Sequence, residues 1–261
     1  MARQIPDYLL HDGIILCRTV LAAEYLRKWK SASDAHYRDL EMEPRNGDSA
    51  NITSIAGTRE RFVPTASSFT IGALRSESNV TELLNSISTG VAGMWIRNIL
   101  GWCPLCNLDQ SWVRRQYAPS RYPPLHAPHG WHQDGALKFD FQSHPDSEFP
   151  RNAVLNMVTC WIPLNSCGLD APGLELITER LGALLSPRQL QTEFLQTRFT
   201  PKRFWQPSLG PGDALLFRGD ILHRTHVMPE MTNDRTSIEL RFFSAVSIPE
   251  RLQADRFIPF G

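Results

Sequence analysis

Apolar positions change their spacing along this chain, and each change predicts a different kind of structure. The opening stretch LLHDGIILCRTVL (9–21) is short, apolar and β-rich. Residues 22–40 then take helical spacing, with Leu26 and Trp29 on one side. From about 43 to 78 the pattern dissolves into Gly, Ser, Asn and Thr, which predicts a long surface loop with one strand at 68–74. Loops of that length commonly cover substrates, so this one is a candidate lid. Helical periodicity returns over NVTELLNSISTGVAGMWIRNIL (79–100), with Asn79 in the N-cap position and Glu82 three residues on.

Beyond residue 111 the texture changes. Runs such as SWVRRQYA, GALKFDF, AVLNMVTCWIPL, PGDALLFRG and RTSIELRFFSAVSI are short and rich in Val, Ile, Phe, Trp and Thr, with Pro/Gly turns between them. One helical insert, 179–197, interrupts them. A helical first third followed by many short strands predicts an α+β protein whose core is mainly β, a sandwich or barrel. At 261 residues it reads as a single domain, 1–100 supporting a β core over 111–248.

Composition narrows the class. With 42% hydrophobic residues and seven tryptophans the chain can bury a sizeable core. Lys plus Arg equals Asp plus Glu, 27 each, so neither nucleic acid nor an anionic membrane surface is an expected partner. The start MARQIPDYLLHDG lacks the layout of a secretory signal, and no apolar run reaches the ~18 residues of a membrane span. Five cysteines, an odd count, predict reduced thiols. These features predict a soluble cytoplasmic protein.

Candidate chemistry enters at HGWHQDGALKF (129–139). If 131–138 is a strand end, His132 and Asp134 project from one face and Gln133 from the other. An isolated HxD is more often a solvated polar strand end, so a third ligand decides its meaning. GDALLFRGDILHRTHV (212–227) offers His223, behind an Ile-Leu pair that anchors it to the core. His226 competes from a stretch that reads as loop. Two histidines and a carboxylate on one face form the facial triad of non-haem Fe(II), although zinc accepts the same set. Twelve residues beyond His223, NDRTSIELRFF puts Arg235 and Ser237 on one strand face. A guanidinium beside a hydroxyl suits a carboxylate, which favours iron with a dicarboxylate cosubstrate over zinc.

The ordered set WHQD (131–134), TCWIPL (159–164), APGLELI (171–177), PGDALLFRGDILH (211–223) and NDRTSIELRF (233–242) resembles the phytanoyl-CoA dioxygenase (PhyH-like) family of Fe(II)- and 2-oxoglutarate-dependent oxygenases. The resemblance spans about 9–243. It implies a double-stranded β-helix, a cupin-like jelly roll with N-terminal and flanking helices. It implies His132, Asp134 and His223 as iron ligands and catalytic centre, with O2 as co-reactant. It further implies Arg235 on the distal carboxylate of 2-oxoglutarate and Trp161 beside that cosubstrate. The intact Asp134 favours hydroxylation over halogenation. The loop 178–182 departs from the family's glycine-rich turn and is in doubt as a site element.

The strand SWVRRQYA puts Arg114 and Gln116 on one face and Arg115 on the other. Gln116 is a candidate contact for the cosubstrate, and Arg114, Arg115 and Trp131 are candidates for the substrate, with Phe139 as a further apolar wall. Each has a plain alternative, exposed sheet-edge arginines and core tryptophans. Two other readings compete: GWCPLC (101–106) as a CxxC redox motif, and a jelly-roll module that binds zinc or no metal.

Overall fold

A computed structural model describes residues 8–42, 67–71, 77–121, 128–143, 149 and 153–261. Most of the expected lid lies outside them. The chain starts with a hairpin, β1 (Tyr8–His11) and β2 (Ile14–Cys17), and continues into α1 (Ala23–Met42). The strand expected at 68–74 is β3 (Ser67–Thr70).

Residues 79–100 form two helices where one is predicted, α2 (Glu77–Ser88) and α3 (Val91–Leu100). Gly90 is extended at the junction, and α3 folds back so tightly that a Cβ on Gly93 would lie 2.2 Å from the Ser88 carbonyl oxygen. The first helix starts two residues before Asn79, so Asn79 is inside its first turn and is not the N-cap.

The strands follow: β4 (Pro104–Asn107), β5 (Trp112–Gln116), β6 (His132–Gln133), β7 (Met157–Pro163) and β8 (Gly173–Ile177). The helical insert predicted at 179–197 shrinks to α4 (Thr192–Arg198), because Gly182 adopts a left-handed φ of 62° and Pro187 cannot continue a helix. The chain ends with β9 (Phe204–Trp205), β10 (Ala214–Arg218), β11 (Leu222–His226), β12 (Arg235–Ser244) and β13 (Phe257–Pro259).

All ladders are antiparallel. The large sheet runs β1-β2-β10-β7-β12-β4-β13, with β5 also on β12 and β3 on β5; the small sheet runs β6-β11-β8-β9. One face of the large sheet presents Ile15, Cys160, Ile162, Leu216, Ile238, Leu240 and Phe242 to the three N-terminal helices. Its other face presents Leu16, Trp161, Leu215 and Phe217 to Leu174 and Leu176 of β8. Both faces of β12 are therefore covered, and all ten of its residues are buried.

Period-two alternation in RTSIELRFF consequently has an unusual meaning. Thr236, Ile238, Leu240 and Phe242 turn to the helices. Arg235, Ser237, Glu239 and Arg241 turn inward, into the space between the sheets. A row of buried charge there is costly unless something pairs with it. No helix among the described residues is long and apolar enough to cross a membrane.

Candidate metal centre

The turn after β6 and the start of β11 meet through two glycines. Gly135 N–H donates to the Gly219 carbonyl at 2.7 Å, and a Cβ on Gly135 would lie 2.6 Å from that same oxygen. Only a residue without a side chain lets the chain after Asp134 approach the turn before His223 this closely. Gly135→Ala is expected to destabilise the fold by about 1–3 kcal/mol, as other overpacked sites do, seen as a lower urea midpoint at unchanged slope. An unchanged midpoint would show that the contact is loose.

Gln133, facing away from the centre, ties the same two segments. Its Nε2 donates to the carbonyls of Ala183 and Asp220, each at 2.9 Å, and its Oε1 accepts from Leu185 N–H at 2.7 Å. The doubtful loop at 178–182 is a brace: Arg180 and the Gly182 N–H both hold Asp220. Ile221 and Leu222 are fully buried behind His223.

These braces bring His132, Asp134 and His223 together, their candidate ligand atoms all within 4.8 Å of one another. His132 and His223 are register partners across β6 and β11. Asp134 Oδ1 lies 3.9 Å from Nε2 of each imidazole. The Nδ1 of His132 is 2.8 Å from the Gly130 carbonyl, and that of His223 is 3.1 Å from the Ile221 carbonyl. A carbonyl can only accept, so each Nδ1 carries the proton and each Nε2 turns its lone pair to the centre. The strand here is shorter than predicted, His132–Gln133 followed by a 3-10 turn, yet the ligands still converge.

Electrostatics prepare the set for a cation. Burial pushes the His132 and His223 pKa values down, for His132 with help from neighbouring His129 and His223, which keeps both rings neutral. At 3.9 Å neutral rings form no ion pair with Asp134. Burial alone would raise the Asp134 pKa, but the Arg241 guanidinium beside it outweighs burial and the carboxyl falls well below its usual range. Two neutral imidazoles and a carboxylate around a common point are what a divalent ion requires. Donors drawn in to about 2.1 Å would close the gap with movements under an ångström.

A second feature lies along the same inner face. Arg235 is 1% exposed, and its Nε and Nη1 find no hydrogen-bond partner; Ser237 Oγ, fully buried, finds none either. The Arg235 guanidinium sits 5.0 Å over the Trp161 ring. Burial lowers its pKa, Glu239 partly offsetting this, so the cation lacks a full counter-charge. Gln116 is its register partner on β5, and Arg114 is the partner of Ser237.

The remaining candidates separate. Arg114 stays on the inner face, its Nε 3.4 Å from Glu239 Oε1. Arg115 does not reach the cluster: it turns to the helices, paired with Asp34 and lying over the Tyr37 ring at 4.4 Å. Trp131 is also remote, packed with Ile177, Leu195 and Phe199 on the far side of the small sheet. Phe139 joins a separate cluster with Phe141 and Phe149. His226, expected in a loop, is the last residue of β11; three positions from His223, it faces the opposite way and stays out of the triad.

Two further residues belong to the site. Thr159 Oγ1 donates to Asp134 Oδ2 at 2.6 Å, and Arg241 Nη2 donates to Asp134 Oδ1 at 2.9 Å. His129 is a third. It lies against His132, ring centroids 3.9 Å apart, with its pKa pushed down to about 3 by burial, Arg114 and His223.

Cys103 and Cys106 are both free, Cys106 lying on β4. Burial pushes the Cys106 thiol up to about 12, and Cys103 leads into strand β4 where a CxxC redox motif places the start of a helix.

The S. alaskensis EctD structure with bound Fe is 14% identical, covers 92% of this chain and 75% of its own, and has a TM-score of 0.62. The fold is the double-stranded β-helix. SnoN, a non-haem α-ketoglutarate-dependent epimerase of nogalamycin biosynthesis, is 15% identical over 90% of this chain and 77% of its own, with a TM-score of 0.55. SnoK, an α-ketoglutarate-dependent carbocyclase of that biosynthesis, is 13% identical over 90% of this chain and 81% of its own, with a TM-score of 0.55. No protein-family model and no curated protein matches the chain.

Proposed function

We propose that this chain is an Fe(II)- and 2-oxoglutarate-dependent dioxygenase of the PhyH-like kind. In this reading it oxidises, most simply hydroxylates, an unactivated C–H bond of a small natural product or amino-acid-like metabolite. One observation carries the reading: two nitrogens of the buried Arg235 guanidinium and the Ser237 hydroxyl find no hydrogen-bond partner on the inner face of β12, the face from which Arg241 reaches Asp134 of the triad. Zinc in a His2Asp site needs no such pair, and an inert module would not keep it. The fold shared with EctD, SnoN and SnoK supports the reading.

His132, Asp134 and His223 would hold the iron. Bound iron with 2-oxoglutarate and O2 supplies the oxidising power, and succinate and CO2 are released. The protein's part is position, charge and dryness. Thr159 reaches Asp134, and two residues along β7 Trp161 carries Arg235. Two strand residues span ~6.6 Å, close to the length of an extended five-carbon dicarboxylate. A cosubstrate anchored at one end by the metal would thus meet Arg235 and Ser237 with the other, while Trp161 walls off water. Gln116, opposite Arg235, borders the same end. Phe217 packs on His223 at 4.6 Å and keeps that ligand dry.

Arg114 is the candidate of the predicted set that remains for substrate. Free thiols support a reducing, cytoplasmic setting. The test is succinate formation under air, with Fe(II) and 2-oxoglutarate, across a panel of amino acids and natural products. Fe(II)-dependent succinate release, even the slow uncoupled release without substrate, is expected. No succinate from folded, iron-loaded protein would overturn the assignment.

A further inference from the structure

Asp134 is held at both oxygens. Arg241 donates to Oδ1 at 2.9 Å and Thr159 to Oδ2 at 2.6 Å, and Oδ1 is also the oxygen facing both imidazoles, 3.9 Å from each Nε2. A carboxylate beside a hard dication can bind through one oxygen or through two. With two histidines, two-oxygen ligation fills four of six octahedral positions. A chelating cosubstrate and O2 together need three, so one-oxygen ligation is the mode that leaves enough room.

We infer that Thr159, which holds Oδ2 away from the imidazoles, and Arg241, which fixes the rotation of the carboxylate through Oδ1, are positioning residues that restrict Asp134 to one-oxygen ligation and so keep a coordination position open. The inference rests on the metal reading above. Arg241 cannot follow the carboxylate if it turns. Its Nη1 donates to the Gln110 carbonyl, and its backbone N–H donates to Ser111 Oγ at 3.0 Å. That hydroxyl is itself anchored on the Asn107 carbonyl at 2.6 Å. Glu239 Oε2, 3.9 Å from Arg241 Nη2, supplies a second anion beside the guanidinium. A buried ion pair can also serve stability alone. Stability alone does not require the donor to sit on the oxygen aimed at the two imidazoles, nor a second donor on the other oxygen.

The experiment loads Co(II), whose visible absorption reports coordination, into wild type, Arg241→Gln, Arg241→Lys and Thr159→Val. It then titrates each with 2-oxoglutarate by calorimetry. Arg241→Gln is expected to take up Co(II) with an altered visible spectrum and to bind 2-oxoglutarate about 10- to 100-fold more weakly, the scale of other supporting residues around metal ligands. Arg241→Lys should restore most of the wild-type spectrum. If Arg241→Gln fails to fold, Thr159→Val, which removes one hydroxyl, carries the same two readouts. Folded variants with wild-type spectrum and affinity overturn this inference while leaving the metal reading intact. A wild type that takes up no Co(II) overturns both.

Discussion

His223→Ala is expected to abolish high-affinity metal binding and all 2-oxoglutarate turnover, whereas His226→Ala should leave both nearly unchanged. The two histidines are three residues apart on β11, so they leave the strand in opposite directions. His223 points between the sheets, with its Nδ1–H held by the Ile221 carbonyl and its Nε2 turned to Asp134. His226 pairs with Gly173 at the strand end, away from the cluster. Loss of a supporting partner around a metal site commonly weakens it 10- to 100-fold, and loss of one ligand in three should exceed about 100-fold. Metal titration of both variants, with thermal unfolding as a control, checks this. The opposite pattern would mean that the centre is built around the wrong histidine.

Arg235→Gln is expected to raise the KM for 2-oxoglutarate by about 10²- to 4 × 10³-fold with a much smaller change in kcat. The residue is almost wholly buried and has two nitrogens without partners. Breaking a buried ion pair from one side costs about 3–5 kcal/mol, which at 1.4 kcal/mol per tenfold gives that range. If the guanidinium grips the end of the cosubstrate remote from the metal, saturating 2-oxoglutarate should recover most of the rate. Lysine at 235 should recover part of the affinity, lacking the two-pronged geometry of arginine. Steady-state kinetics over a wide 2-oxoglutarate range decides it. An unchanged KM would remove the clamp. Arg241 is no substitute, being committed to Asp134.

The parts of this site that were legible in the sequence share one property: local spacing sets their geometry. His132 and Asp134 alternate across a single residue, as do Arg235 and Ser237, and Ile221-Leu222 fixes His223 by burial. Such positions need only the pitch of a strand. Arg241 and Thr159 reach Asp134 over separations of 107 and 25 residues, and no local pattern encodes the registers that bring them there. Alternation also misleads when polar means interior. In RTSIELRFF the charged face looks like the solvent face, yet it lines the space between the sheets because helices cover the apolar one.

The misjudged elements have equally local causes. Thr89-Gly90 splits the second helix and Gly182 with Pro187 dissolves most of the third, breakers that outweigh apolar periodicity on either side. Trp131 sits one residue from a ligand and therefore faces the other way, into Ile177 and Phe199. Arg115 follows the same rule beside Arg114 and finds Asp34.

All of these expectations descend from a single claim about three side chains and one cation. Anaerobic addition of Fe(II) to the metal-free protein, followed by 2-oxoglutarate, measures that claim in one cuvette. A visible charge-transfer band should grow with 2-oxoglutarate to one equivalent per chain, and should be absent in His223→Ala. A folded wild type that stays colourless at saturating iron and cosubstrate would contradict it.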